Sequence, residues 1–173
     1  QMAKLAGYDG VEVIGSAGYL LSTFLVKKTN LREDKWGGSY ENRMRFPLEV
    51  IKQIRAAVGA DFILIFRIPA MDMLDDGMSW DEVVRLAKEM EKAGITIIST
   101  HFCWHEARVP TIATMVPRAA FTEVTGRLRK ELSVPVITSN RINTPEVAEQ
   151  VLRDGDADLI SMARPMLADP EFV

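Results

Sequence analysis

Residues 61–100 read DFILIFRIPAMDMLDDGMSWDEVVRLAKEMEKAGITIIST, and three patterns follow one another within them. Asp61–Ile68 is an almost unbroken apolar run rich in β-branched and aromatic side chains, the composition of a strand covered on both faces. Ser79 stands three residues before Glu82, a capping-box spacing, and opens a helical pattern that ends at Gly94. Ile95–Thr100, ITIIST, is a second apolar run. A strand, a helix and a strand in this order make a crossover unit, because parallel strands cannot be joined by a tight turn.

The same alternation extends outward in both directions. Toward the N-terminus, Tyr8–Gly15 (YDGVEVIG) reads as a strand. It is followed by a long loop in which Asp34–Ser39 (DKWGGS) is a turn, and then by a helix that Ser39 caps and Gly59 closes. Pro47 inside that helix predicts either a kink or a start nearer the proline. Toward the C-terminus come a helix over 118–132 and a strand over 134–140. Thr144 and Pro145 then open a further helix, and a last strand covers 157–165. Repeated βα units of this kind build either an open doubly wound sheet or a (β/α)8 barrel. The first βα turn carries no glycine-rich nucleotide loop, which favours the barrel. A complete barrel takes about 250 residues, so 173 residues correspond to a partial TIM barrel, its C-terminal part.

Composition narrows the function. At 47% hydrophobic and 26% charged the chain is that of a globular domain. A net charge of −3 provides no basic footprint, so no nucleic acid or membrane partner is expected. No apolar run approaches the roughly 20 residues of a membrane span, and the start, QMAKLAGYDG, lacks a secretory layout. One cysteine allows neither a disulfide framework nor a multi-thiolate zinc site, so a cytoplasmic protein is the simplest reading.

In both candidate folds ligands gather at the carboxyl ends of the strands. The polar residues there are Tyr19, Arg67, the stretch His101-Phe-Cys-Trp-His-Glu-Ala-Arg108, Asn140 with Arg141, and Arg164. Arg67 lies in an apolar strand and must find an anion, either Glu12 of the preceding strand or a ligand. Arg141 and Arg164 end the last two strands, where barrels often bind phosphate, although solvated surface arginines are the alternative. Tyr19 reads equally as a core tyrosine. His105 and Glu106 could be an exposed loop pair, His101 the packed histidine, and Cys103 a buried inert thiol.

Three segments carry a family resemblance. GYDGVEVIGSAGYL (7–20) and NLREDKWGGSYENRMRF (30–46) resemble the old yellow enzyme family of FMN-dependent ene-reductases, and DLISMARPMLADP (158–170) resembles its C-terminal end. The likeness spans the whole chain and implies strands 4 to 8 of an FMN-binding TIM barrel. Simple enone reductases of the family carry a histidine, and then a histidine or asparagine three residues on, that clamp the substrate carbonyl. Ile14 and Ala17 stand there in this sequence. With the WHEARVPTIAT loop, this brings the chain nearest to the bacterial NADPH-dependent 2,4-dienoyl-CoA reductases.

The resemblance implies Tyr19 as proton donor and His105 as its assistant. It implies Arg67 at the pyrimidine edge of FMN, Asn140 as a further cofactor-binding residue, Arg141, Ala163 and Arg164 around the cofactor phosphate, and Thr29, Asn30, Leu31 and Arg32 as substrate contacts. The substrate is then an acyl-CoA reduced at a conjugated diene. FAD, a [4Fe–4S] cluster and NADPH belong to parts of such reductases outside these residues, and the chain alone is expected to be inactive. Its two exposed sheet edges favour self-association. Related readings are an amine dehydrogenase or enoate reductase of the same family, a phosphate-binding module, and an inert fragment.

Overall fold

The computed structural model describes residues 1–172. After a short helix α1 (Met2–Leu5), strand β1 (Gly10–Ile14) leads into α2 (Leu20–Leu25) and α3 (Tyr40–Val58). The rest alternates as β2 (Ile63–Met71), α4 (Trp80–Lys92), β3 (Ile97–Phe102), α5 (Thr122–Arg129), β4 (Val136–Thr138), α6 (Pro145–Arg153), β5 (Leu159–Ile160) and α7 (Arg164–Ala168). All neighbouring strands are parallel and lie in the order β1-β2-β3-β4-β5.

This order decides between the two candidate architectures. A doubly wound sheet reverses its strand order at a switch point. Here the order never reverses, so right-handed crossovers place the helices that connect successive strands on the same face, as in a barrel wall. Leu64, Phe66, Ile68 and Ile98 are wholly buried beneath the helices with Ile51, Leu86 and Met90. The opposite face carries one row of residues in register: Ile14, Arg67, Ser99, Ile137 and Leu159. Its outer members, Ile14 and Leu159, are largely open, because β1 and β5 are the edges of a partial barrel.

Several local expectations hold. Ser79 accepts from the Glu82 N–H while the Glu82 carboxylate accepts from the Ser79 N–H, a complete capping box. Ser39 caps α3 and Thr144 caps α6, with Pro145 at its first turn. Others need correction. Helix α3 runs unbroken from Tyr40 through Pro47, so the proline does not mark a start. The first turns survive because Arg43 anchors them: it is 1% exposed, donates to the Leu25 carbonyl and reaches the Glu82 carboxylate at 2.5 Å. Strands β4 and β5 are shorter than the apolar runs suggested, and Arg164 begins α7 rather than ending a strand. Helix α5 covers only 122–129, because residues 103–121 form a long irregular strap instead of helix.

Candidate active site

The carboxyl end of β1 presents Tyr19. The Gly15 N–H donates to the Arg67 carbonyl at 3.0 Å and extends the β1–β2 pairing by one residue. A Cβ at Gly15 would fall 2.1 Å from the Phe66 ring, so only glycine lets the chain turn there. Tyr19 sits at the N-cap position of α2 with its phenol outward, 55% exposed. The strap after β3 brings His105 to it. Tyr19 Oη and His105 Nε2 are 2.9 Å apart, and their rings meet edge-on with centroids separated by 5.2 Å. The two sequence-predicted residues form a hydrogen-bonded pair, and Tyr19 is not a core tyrosine.

Beside this pair lies a cavity of about 360 Å³ at the carboxyl ends of β2–β5. Arg67, Asn140, Arg141, Ala163 and Arg164 all line it, and no aspartate or glutamate does. Among the described residues Arg67 forms no ion pair, with Glu12 or any other carboxylate, and its buried Nε has no hydrogen-bond partner. The register explains the absence: Ile14, not Glu12, stands level with Arg67, and Glu12 lies a layer below beside Ile65. An arginine left in this state is set for an acceptor that enters the cavity.

The end of β4 is held in an uncommon backbone shape. Asn140 and Arg141 both have left-handed φ values, 69° and 61°. Arg141 Nε donates to the Val116 carbonyl at 2.8 Å, which fixes its guanidinium on the strap. The Asn140 side chain is engaged within the protein: Nδ2 donates to Thr111 Oγ1 and Oδ1 accepts from Ser139 Oγ, each at 2.7 Å. Asn140 therefore shapes the wall and ties it to the strap.

His101 corrects the sequence reading. It faces the cavity, and burial, the Arg67 charge and His105 depress its pKa to about 4, so it stands neutral beside the arginine. Cys103 is buried, and burial raises its thiol pKa, in keeping with an inert role. Thr29, Asn30, Leu31 and Arg32 do not line this cavity. Asn30 braces its own loop by donating to the Phe24 and Trp36 carbonyls, at 2.7 and 2.8 Å, Arg32 pairs with Asp34, and Leu31 is exposed. Sequence reasoning missed Asp72 and Trp104. Trp104 Nε1 donates to Asp72 Oδ1 at 2.7 Å in the buried base of the strap, and no spacing rule links residues so far apart.

The whole chain, residues 1–173, matches the NADH:flavin oxidoreductase / NADH oxidase family, Oxidored_FMN. The chain belongs to this family. It is 45% identical over 170 residues to a metal reductase of Desulforamulus reducens, covering 98% of this chain and 25% of that protein. It superposes on 2-naphthoyl-CoA reductase, solved with 2-naphthoyl-CoA, at a TM-score of 0.94 and 37% identity, covering 98% of this chain and 26% of the other. An old yellow enzyme homologue from Zymomonas mobilis matches at a TM-score of 0.76 and 25% identity, over 98% of this chain and 46% of that one. The chain thus spans about a quarter of the first two proteins and just under half of the third.

The cavity suits the family's FMN. Arg141 and Arg164, without a facing carboxylate, complement a phosphate dianion, and the unpartnered Arg67 Nε offers a donor to a heterocycle's acceptor edge. Among the described residues no helix is long and apolar enough to cross a membrane, and no three ligating side chains cluster for a metal.

Proposed function

We propose that this chain is the proton-donating half of a flavin-dependent reductase barrel whose substrate is a conjugated acyl-CoA thioester of the 2,4-dienoyl-CoA type. The Tyr19–His105 hydrogen bond of 2.9 Å carries the reading. FMN, when bound, supplies the hydride that reduces the conjugated system. The chain supplies the proton and the electrostatics. A phenol is a weak acid at neutral pH. An imidazole N–H directed at its oxygen stabilises the phenolate left after proton transfer, a contribution of roughly 10²–10⁴-fold. Arg67, Arg141 and Arg164 orient the flavin by its acceptor edge and phosphate, and the resemblance to NADPH-dependent reductases makes NADPH the electron source, reached through FAD and an iron–sulfur cluster held elsewhere in the protein.

Two observations favour a thioester over a simple enone. Ile14 and Ala17 carry no side-chain hydrogen-bond donor where enone reductases of the resembled family hold the carbonyl, and Ile14 is half exposed, in register with Arg67. The solved relative with TM-score 0.94 was captured with a CoA thioester. Thr29–Arg32 lie outside the cavity lining, and their assignment to substrate contact rests on the family resemblance alone. The test compares kcat/KM of the full-length flavoprotein for 2,4-decadienoyl-CoA and for 2-cyclohexenone. A preference for the thioester of about 100-fold or more is expected. Equal use of both, or faster cyclohexenone reduction, contradicts the reading.

A further inference from the structure

We propose that Trp104, held by Asp72, is the positioning residue that sets the Tyr19–His105 contact. The inference rests on the acid-pair reading above. Tyr19 and His105 come from separate loops, after β1 and after β3, and both side chains are exposed. A hydrogen bond between two exposed side chains does not hold two loops in place, since solvent competes for both groups. Something buried must fix the loops first.

The residue before each member does so. Trp104 is 5% exposed and immediately precedes His105, while Gly18 immediately precedes Tyr19. A Cβ at Gly18 would lie 3.0 Å from Trp104 Cε3, and Gly18 has φ +91°, so the indole closes directly on a glycine backbone. The two loops therefore meet twice in succession, Trp104 on Gly18 beneath and His105 on Tyr19 above.

Trp104 is itself fastened to Asp72, the residue that follows β2. Its N–H donates to the Asp72 carbonyl at 3.0 Å and its Nε1–H to Asp72 Oδ1 at 2.7 Å. Asp72 is 3% exposed, and its other oxygen accepts from the Met78 N–H at 2.8 Å. Burial raises the Asp72 pKa although both donors pull the other way, and the carboxylate joins the strap at Trp104 to the loop before α4 at Met78. The turn that swings Trp104 inward and His105 outward is Cys103, which is left-handed at φ 80°. Such a conformation costs a non-glycine residue about 1–2 kcal/mol, and the Asp72 bonds offset it. Displacement of a catalytic group by about 1 Å can cost of order 10²-fold in rate, so a latch of this kind governs kcat.

The experiment uses the full-length, flavin-loaded protein and the variants Trp104→Phe, which keeps the ring against Gly18 but removes the Nε1 donor, and Tyr19→Phe. Two readouts are taken: the nitrogen-15 shift of His105 Nε2 at fixed pH, and the kcat and KM for dienoyl-CoA. Trp104→Phe is expected to move the Nε2 resonance toward its position in Tyr19→Phe and to lower kcat about 10- to 100-fold at near-constant KM. The double variant should add no further shift. An Nε2 resonance and kcat unchanged in Trp104→Phe overturn the latch, and circular dichroism confirms that the variant is folded. The shift reports on geometry whatever the substrate, so failure of the functional reading, seen as full activity in Tyr19→Phe, remains a separate outcome.

Discussion

Replacing Arg67 by methionine should strengthen the flavin-free protein and weaken its hold on FMN. The guanidinium has no carboxylate within ion-pair distance among the described residues, and its buried Nε lacks any partner. A buried donor in that state costs about 1–3 kcal/mol, and Met retains most of the apolar stem while removing the unmet groups. For a domain of this size each 1 kcal/mol moves the unfolding midpoint by about 2–4 °C, so a rise of roughly 2–12 °C is expected without flavin. Against FMN the substitution removes a charge-assisted hydrogen bond of about 1.5–3 kcal/mol, which weakens binding about 10- to 100-fold. Thermal unfolding of the apoprotein and quenching of flavin fluorescence on titration measure the two effects. An apoprotein less stable by about 3–5 kcal/mol, with FMN affinity unchanged within twofold, would mean that Arg67 is a structural cation with a partner, and the reasoning would fail.

Other perturbations test separate parts of the account. His101 has a folded pKa of about 4 against roughly 6.5 for an unfolded histidine, so the unfolded chain binds more protons between these values. Its contribution is complete above pH ~6.5 and is lost as pH falls toward 4, about 3 kcal/mol in all; urea unfolding of apo His101→Gln should be flatter by about that amount between pH 7.5 and 4. Glu82→Leu leaves Arg43, 1% exposed, without its carboxylate, and a loss of about 3–5 kcal/mol in denaturant unfolding is expected. The 173-residue chain alone presents β1 and β5 as open edges, so sedimentation velocity should show concentration-dependent association, and a monomer at high concentration would contradict this.

The fold could be read wherever a local rule leaves a mark in the sequence. Ser79 with Glu82, Ser39, and Thr144 with Pro145 announce helix starts by the bonds they make, and each does so in the structure. The ends of strands leave no such mark. Residues 157–165 are apolar enough for a long strand, yet only Leu159–Ile160 pairs, because the chain turns away at Ala163 to begin α7. In the site, Tyr19 and His105 were legible as polar residues at strand ends and through the family likeness. Their meeting depends on residues that no periodicity connects: Trp104 against Gly18 and Asp72 beneath both. The open question over Arg67 was one of register, and Ile14 rather than Glu12 beside it settles which partner is absent. His101 looked like a packing residue because strand alternation alone does not say which face is the cavity.

The most direct measurement is a single turnover. The full-length protein is loaded with FMN, reduced chemically, mixed anaerobically with one equivalent of 2,4-decadienoyl-CoA, and the acyl-CoA is analysed by mass over time for wild type and Tyr19→Phe. The account predicts conversion to a product heavier by two hydrogens in the wild type, slowed by about 10²-fold or more in the variant. No conversion by the wild type, or conversion at equal rates, would contradict it.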